Sequence, residues 1–539
     1  MNKVSSIVIV LLIPASAIAQ QSAPMSPLTP PLISDNTSVN GTQQYRLGKL
    51  MISGNIRTKE IVIRQMIPLE EGDLFNQSKW DFGIDQLNRS GLFQPVTRSD
   101  VTMKPNPGTG MVDVDLHLTE ADHRRIDFSG GGGTTGGTSG SIDYTDINVT
   151  GRGDRLKSRL TLGTREQGLA GQYSLALISQ HQPILDASAY FQRAVLVNAT
   201  LAGGDTNPLY LQNSAGASIG LQLALSKTRY SIAAPTRAGV VYSFSSTGVR
   251  DQFSTSILAT SNSEDRLRTA SITLFLIHDT LDRQFDPQRG ERLYAGLETG
   301  ARALGGSLDT FRSFLDYRRF FEFGSKVEDV QQEHSAIGLR LRASHISSFG
   351  ARFESTVLST VDGIPVFKRS FTGGEEEIRG YDLNSIAPLA RVERFVPATT
   401  GGMTLVSSEV RPIGGDTEVV FNSEYRVPLV WRLSAAAFFD IGTSFNASRL
   451  QTEQFVTTVP IVPLGTIDVT TVLSRATEFR LPIYRCSLGG ELRLPIPVLN
   501  IPIRLLFAFN PNAQTNPPSA ALIAPEKRFA FRVGFSRTL

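Results

Sequence analysis

From about residue 124 to residue 539 the chain is a succession of strand-length segments in which apolar and polar residues alternate, with no sustained 3.6-residue period. Leu156 to Thr164, Ala270 to Ile277, Glu418 to Val427, Arg432 to Asp440 and Arg528 to Ser536 are examples, separated by stretches rich in Gly, Asn, Asp and Pro. The last carries Phe529, Phe531, Val533 and Phe535 on one side. No internal repeat marks a propeller or solenoid. At roughly 20 to 28 residues per strand and connection the region holds about 15 to 20 strands, and we take about 16 as the expectation. Long connections at 196–213, 346–402 and 443–481 fit a barrel with long loops on one side and short turns on the other. The expected fold is mainly β, a transmembrane antiparallel barrel over 124–539.

The N-terminus supports export. Lys3, the apolar run Ile7 to Ile13 and Ala17-Ile18-Ala19 read as a signal peptide over 1–19, too short to span a bilayer. No Cys follows the cleavage site, which argues against a lipid anchor. Residues 20–45 carry Pro24, Pro27, Pro30 and Pro31 among Ser, Thr, Asn and Gln, a linker that cannot form a core. Apolar stretches such as Leu433 to Gly442 are too short for a spanning helix and include Asp440. Cys486 is the single cysteine, so no internal disulfide holds the fold. A net charge of +3 is too small to imply nucleic acid as a partner.

Residues 46–121 read as a small α/β domain in the order β-α-α-β-β. Leu50 and Ile52 alternate with polar neighbours up to Gly54-Asn55. Thr58 is positioned to cap a helix with Val62, Ile63, Met66 and Ile67 on one face, broken by Pro68 and Gly72. Trp80, Ile84 and Leu87 mark a second helix that Gly91 ends. Leu92 to Met103 is strand-like, and Pro105-Asn106-Pro107-Gly108 is a turn. Val112, Val114, Leu116 and Leu118 then alternate with polar residues, as in a half-buried antiparallel strand.

The phrases ISGNIRTKEIVIRQMIPLEEGDLFN and LNRSGLFQPV resemble a POTRA domain, the polypeptide-transport-associated module. Four later stretches, in order, resemble the BamA/TamA family of outer-membrane protein assembly factors with its bacterial surface antigen barrel. GSIDYTDINVTGRGDRL (140–156) is similar to the family's first hairpin, and HDTLDRQFDPQRGERLYAG (278–296) to a mid-barrel periplasmic turn. TGGEEEIRGYDLNSIAP (372–388) resembles the sixth extracellular loop, with Arg379, Gly380 and Tyr381 as its hallmark. FNSEYRVPL and AAAFFDIGTSF (within 421–445) resemble the strands that follow. The resemblance implies that the loop folds into the lumen and that Arg379 pairs there with Asp440 and Glu424, since the planar guanidinium can bond two carboxylate oxygens at once. Alternation alone leaves open which side of its strand Asp440 occupies, because Phe438 shares that side and Phe439 the other. The C-terminal strand signal of the family is matched by Phe529, Phe531, Val533, Gly534 and Phe535, although this chain ends in Leu539 rather than an aromatic residue.

Other constellations fall away. Gly131-x-Gly133-x-x-Gly136 matches a dinucleotide fingerprint but precedes a strand-like stretch from Ser139 to Asp143, so it reads as flexible entry into the barrel. His117, His123, His181, His278, His334 and His345 lack metal-ligand spacing. Asp279, Asp282 and Asp286 read as a polar turn, and Glu375 to Glu377 as a solvated charge run. No nucleophile elbow is present, and Cys486 has no evident partner for nucleophilic work. We therefore expect no enzyme, no metal and no cofactor.

The resemblance implies a factor in the cell outer membrane, its N-terminal domain in the periplasm, that binds unfolded polypeptide and aids its insertion into or passage across that membrane. Its partners would be unfolded outer-membrane or secreted polypeptides, outer-membrane lipid and periplasmic accessory proteins, with no nucleic acid. A weak seam between the segment near Ile126 to Phe128 and Phe529 to Ser536 would open sideways. The alternatives are a two-partner secretion transporter for one dedicated protein and a passive porin-like channel.

Overall fold

The computed structural model describes residues 45–539 apart from 134–136, 177–182, 197–209, 226–234, 251–265, 283–286, 324–334, 351–359, 362, 398–401, 430–432, 448–452, 462–467, 479–483, 497–500, 518–522 and 536–539. The expected signal peptide and linker lie outside these residues.

A three-stranded sheet and two helices make up the first unit. Its strands are β1 (Arg46–Ser53), β2 (Val101–Asn106) and β3 (Met111–His117), in the order β1-β3-β2. Helices Glu60–Met66 and Gln77–Ser90 precede β2, which gives β-α-α-β-β. Val112, Val114 and Leu116 point from the central strand into a core with Val62, Ile63, Met66, Trp80 and Leu87. Burying each large aliphatic side chain contributes about 1.5–3 kcal/mol. Asn76 caps the second helix by accepting from Lys79 N at 3.0 Å, and Gly91 ends it at φ 68°.

Three details differ from the sequence expectation. Thr58 does not cap the first helix: the cap position is Lys59, which makes no side-chain bond, while the buried Thr58 hydroxyl faces the barrel. Strand β2 begins only at Val101, because a 3-10 turn over Arg98–Asp100, closed by Thr97 and Asp100, interrupts the strand-like run. And β3 is antiparallel to β2 but parallel to β1, since two helices intervene between β1 and the later strands.

The second unit is a closed barrel of sixteen strands. Its first nine are β4 (Arg124–Gly133), β5 (Gly137–Asp146), β6 (Arg155–Gly163), β7 (Glu166–Ala176), β8 (Ile184–Leu196), β9 (Tyr210–Ala224), β10 (Thr236–Arg250), β11 (Leu267–Asp279) and β12 (Gly290–Gly300). Then follow β13 (Thr310–Phe323) and β14 (Ser335–Ser348), and, after a long loop carrying β15 (Thr360–Val361), β16 (Ile364–Pro365), β17 (Leu389–Pro397) and β18 (Met403–Pro412), strands β19 (Thr417–Pro428) and β20 (Ser434–Phe445). A second long loop contains β21 (Glu453–Ile461) and β22 (Asp468–Glu478), before β23 (Arg485–Ile496), β24 (Ile501–Phe509) and β25 (Phe529–Phe535). Strands β17, β18, β21 and β22 form a separate four-stranded sheet, so both long connections are structured rather than plain loops.

Alternation sorts the side chains as a barrel requires. Along β19, Glu418, Val420, Asn422, Glu424 and Arg426 are buried inside, while Val419 and Tyr425 are exposed outside. No helix of the described residues is long and apolar enough to cross a membrane.

The barrel closes where its last strand meets its first. Among the described residues, β25 pairs with β4 at Gly534 with Gly133 and at Phe535 with Gly132. One expectation is corrected: the glycine run is paired strand rather than flexible entry, with Gly130 to Gly133 laddered to β5.

Candidate functional site: the inward-folded loop and the domain hinge

The loop between β14 and β19 descends into the lumen, and its Arg379 is 2% exposed. Arg379 Nε donates to Asp440 Oδ2 at 2.7 Å and Nη2 to Asp440 Oδ1 at 2.7 Å, a two-pronged pair, and its backbone N–H donates to the same carboxylate at 3.0 Å. Nη1 donates to Glu424 Oε2 at 2.6 Å and lies 3.6 Å from Glu491 Oε2. The guanidinium also stacks 3.9 Å from the centre of the Phe438 ring, two residues before Asp440 on the same strand face. So the apolar neighbour that left the side of Asp440 undecided is the surface on which Arg379 rests.

Around this pair the wall supplies more charge. Glu424 takes Arg426 Nε at 2.5 Å and lies 2.6 Å from Arg493 Nη2. Glu491 takes Arg493 Nε at 2.7 Å and Arg504 Nε at 2.5 Å. Asp440 also accepts from Asn422 Nδ2 at 2.9 Å. Every carboxylate is thus hydrogen-bonded, which buried charges require. Glu491, Arg493 and Arg504 escaped the sequence reading, yet a signal existed: charges two apart within the otherwise apolar β23 and β24 have only the lumen to face.

Gly380 follows at φ 90°, with its Cα so close to β23 and β24 that an added Cβ would meet Ala508 Cβ and Asn510 Oδ1 at 2.7 Å. Tyr381 is 2% exposed, packs with Ile378, Ile386 and Val420, and donates its hydroxyl toward Cys486 O at 3.2 Å and Asn512 Oδ1 at 3.1 Å. Of the acidic run read as solvated, Glu376 is exposed and Glu375 half-buried, but Glu377 is interior. Glu377 is 1% exposed, pairs with Arg342 of β14, and accepts from Gly373 N at 3.1 Å. On the terminal strand, Phe529 and Phe531 point outward, 75% and 57% exposed, and stack on Phe509 and Phe507 of β24. Val533 is half-buried, Gly534 closes the seam, and the Phe535 side chain lies outside the described residues.

The second polar cluster joins the α/β domain to the barrel. The turn after β5 is built by its own side chains: Asn148 Oδ1 accepts from Gly153 N at 2.9 Å, and Asp154 accepts from Thr150 N and Oγ1 and from Tyr173. These bonds hold the Asp154 carboxyl below its usual range against the opposing effect of burial. Gly151 and Gly153 sit at φ 79° and 74°, which the turn requires. Into it reaches Arg57, Nε to Asn148 O at 2.5 Å and Nη2 to Val149 O at 2.7 Å. Asn148 Nδ2 donates to Thr58 Oγ1 at 2.9 Å, and Lys59 N to Gly151 O at 2.9 Å. Glu120 Oε1 accepts from the N–H groups of Arg57 and Thr58 at 3.0 and 2.6 Å; although burial opposes it, these bonds hold the carboxyl below its usual range. This hairpin motif is the first turn on the domain side and joins the second and third barrel strands.

A closed barrel with an inward-folded loop and a small α/β domain docked at one rim defines an integral outer-membrane barrel with a periplasmic domain. Residues 148–536 match the model of the Omp85 superfamily domain, and residues 45–121 that of the surface antigen variable number repeat, the POTRA module. The chain belongs to the Omp85 superfamily, and it lies in the outer membrane with the POTRA domain in the periplasm. It is similar to outer membrane protein assembly factor BamA of Neorickettsia risticii (strain Illinois), 25% identical over 405 residues, which are 75% of this chain and 48% of that protein. It is also similar to BamA of Nitratidesulfovibrio vulgaris (strain Hildenborough), 20% identical over 75% of this chain and 45% of that protein. The chain thus spans about half the length of these curated relatives. The fold matches the crystal structure of BamA from Haemophilus ducreyi lacking POTRA domains 1–3, with TM-score 0.60 and 17% identity over 92% of this chain and 85% of that one. It also matches CdiB from Acinetobacter baumannii, with TM-score 0.52 and 14% identity over 92% of this chain and 73% of that one.

Proposed function

We propose that this protein accepts unfolded polypeptide in the periplasm and aids its insertion into or passage across the outer membrane. The observation that carries the reading is that the barrel closes where its last strand, β25, meets its first, β4, beneath a loop folded into the lumen and anchored there by Arg379. Backbone donors and acceptors at a strand edge seek partners, so a seam that parts sideways offers an incoming strand a template. In the periplasm, β2 is an outer strand of the POTRA sheet, and one side of it is covered by no described strand. It suits strand addition, which binds backbone without demanding a sequence, although Pro105 removes one donor. The relatives named as assembly factors support this reading. It requires no covalent chemistry of the protein itself. Clients would be outer-membrane or secreted polypeptides, with membrane lipid and periplasmic accessory proteins as further partners.

The similarity to CdiB keeps an exporter of one dedicated protein as the second reading. The test is assembly of a radiolabelled barrel client into liposomes holding the purified protein. Client that becomes protease-resistant only with the intact protein supports the assembly reading. No insertion, with a stable single-channel conductance, would favour export or passive conduction instead.

A further inference from the structure

We infer that the lipid-facing wall of β11, β12, β13, β14 and β19 seats one acyl chain of a glycolipid from the cell-surface leaflet, whose amide N–H or hydroxyl near the head of the chain meets His345. The inference needs only the barrel in its membrane, so it stands or falls apart from the assembly reading.

Cross-strand pairing arranges the outward side chains in rows. One row runs Leu276, Ala295, Leu315, Ala343 and Val419, and the next runs Leu274, Leu297, Ser313, His345 and Thr417. Where Ala295, Ser313 and Ala343 stand beside leucines the wall is recessed. Ile272 and Phe311 rise from the row on one side, and Leu293, Tyr317 and Leu341 from the row on the other. The result is an open groove of about 620 Å³ lined by both central rows. Leu274 and Leu297 are 56% and 48% exposed, so no described segment covers it.

The two ends of the groove differ. Leu274 lies midway along β11, in an apolar stretch. At the other end His345 is near the finish of β14 and Thr417 opens β19, on the side of the barrel away from the POTRA domain and so toward the cell surface. Thr417 donates its hydroxyl to Asp416 Oδ1 at 2.7 Å, and must therefore accept from His345 Nδ1, 2.8 Å away. The neutral ring then carries its proton on Nδ1 and leaves Nε2 as an acceptor. Among the described residues Nε2 has no hydrogen-bond partner.

Hydrocarbon offers an acceptor nothing, so one at the head of the groove selects a lipid that brings a donor. An acyl chain joined to a sugar through an amide brings an N–H, and a hydroxylated chain brings an O–H, as in lipid A. The ester-linked chains of a diacyl phospholipid bring neither. Length agrees with this assignment. From β19 to β11 is four strand spacings, about 19 Å, which an extended chain of about 15 carbons covers at ~1.2 Å per bond.

Photo-crosslinking of the full chain tests this, in phosphatidylcholine nanodiscs with a trace of lipid A that carries a diazirine on an amide-linked chain. Crosslinks mapped by mass spectrometry should concentrate on Leu274, Leu297 and Leu315. Phosphatidylglycerol with the same diazirine should label them no more than the lipid-facing Leu160 and Leu169 of β6 and β7. Ala343→Phe, which fills the groove, should cut its labelling by lipid A about tenfold. His345→Phe should also reduce it, and His345→Gln, which keeps an acceptor, should retain it. Equal groove labelling by the two lipids, even labelling of both walls by lipid A, or labelling that Ala343→Phe leaves unchanged overturns the inference. Heat-modifiable gel mobility reports that each barrel is folded, and Ala295→Leu narrows the groove from another strand if the Ala343 variant is not. No client is present, so neither result bears on assembly.

Discussion

Arg379 shows how much one side chain can settle. Its guanidinium is paired with Asp440, whereas Glu424 and Glu491 also hold Arg426, Arg493 and Arg504. Replacing it with alanine leaves Asp440 buried beside Asn422 alone, and losing one partner of a buried pair costs about 3–5 kcal/mol. We expect Arg379→Ala to unseat the loop, read as new protease cleavage within 372–388, and Arg379→Ala with Asp440→Asn to recover part of the loss. The loop motif was legible in the sequence because its residues are contiguous. Its partners were only half legible: Asp440 and Glu424 came from resemblance, while Glu491, Arg493 and Arg504 enter from strands that the chain reaches much later.

At the scale of elements, the hairpin turn at 147–154 and the segment at 57–59 make one joint. Thr58 was legible as a helix cap because Ser and Thr before a helix usually are. Here its hydroxyl is engaged by Asn148, ninety residues away, and spacing alone could not reveal that. Asn148→Ala removes both the bond to Thr58 and the turn's own bond to Gly153, at about 1 kcal/mol each. We expect it to loosen the POTRA domain, seen as faster proteolysis near 118–124, with the barrel intact. The joint also carries a pH dependence. Glu120 is held below the usual glutamate value of about 4.5, so its contribution is fully present above that pH and is lost as pH falls through the lower folded value. Domain docking should be constant from neutral pH to about 5 and weaken below about 4.5, and Glu120→Gln should flatten that dependence.

On the scale of the whole molecule, the barrel closes between its first and last strands, β4 and β25. If its function needs the seam to part, a disulfide across Gly133→Cys and Gly534→Cys, on the Cys486→Ser background, should stop client assembly when oxidised and release it on reduction. Equal assembly in both redox states would remove the seam from the mechanism.

The sequence by itself determined the β character, the alternation that puts apolar residues toward lipid, the POTRA order of elements and the loop motif. Each depends on neighbours close along the chain, where period and turn chemistry act. Only the tertiary structure decided where the seam falls, that Glu377 is interior, that the long loops share a four-stranded sheet and that Arg532 meets Gly380. Closing a barrel joins its first and last strands, and the stagger and lumen that closure creates bring together residues that no local pattern relates.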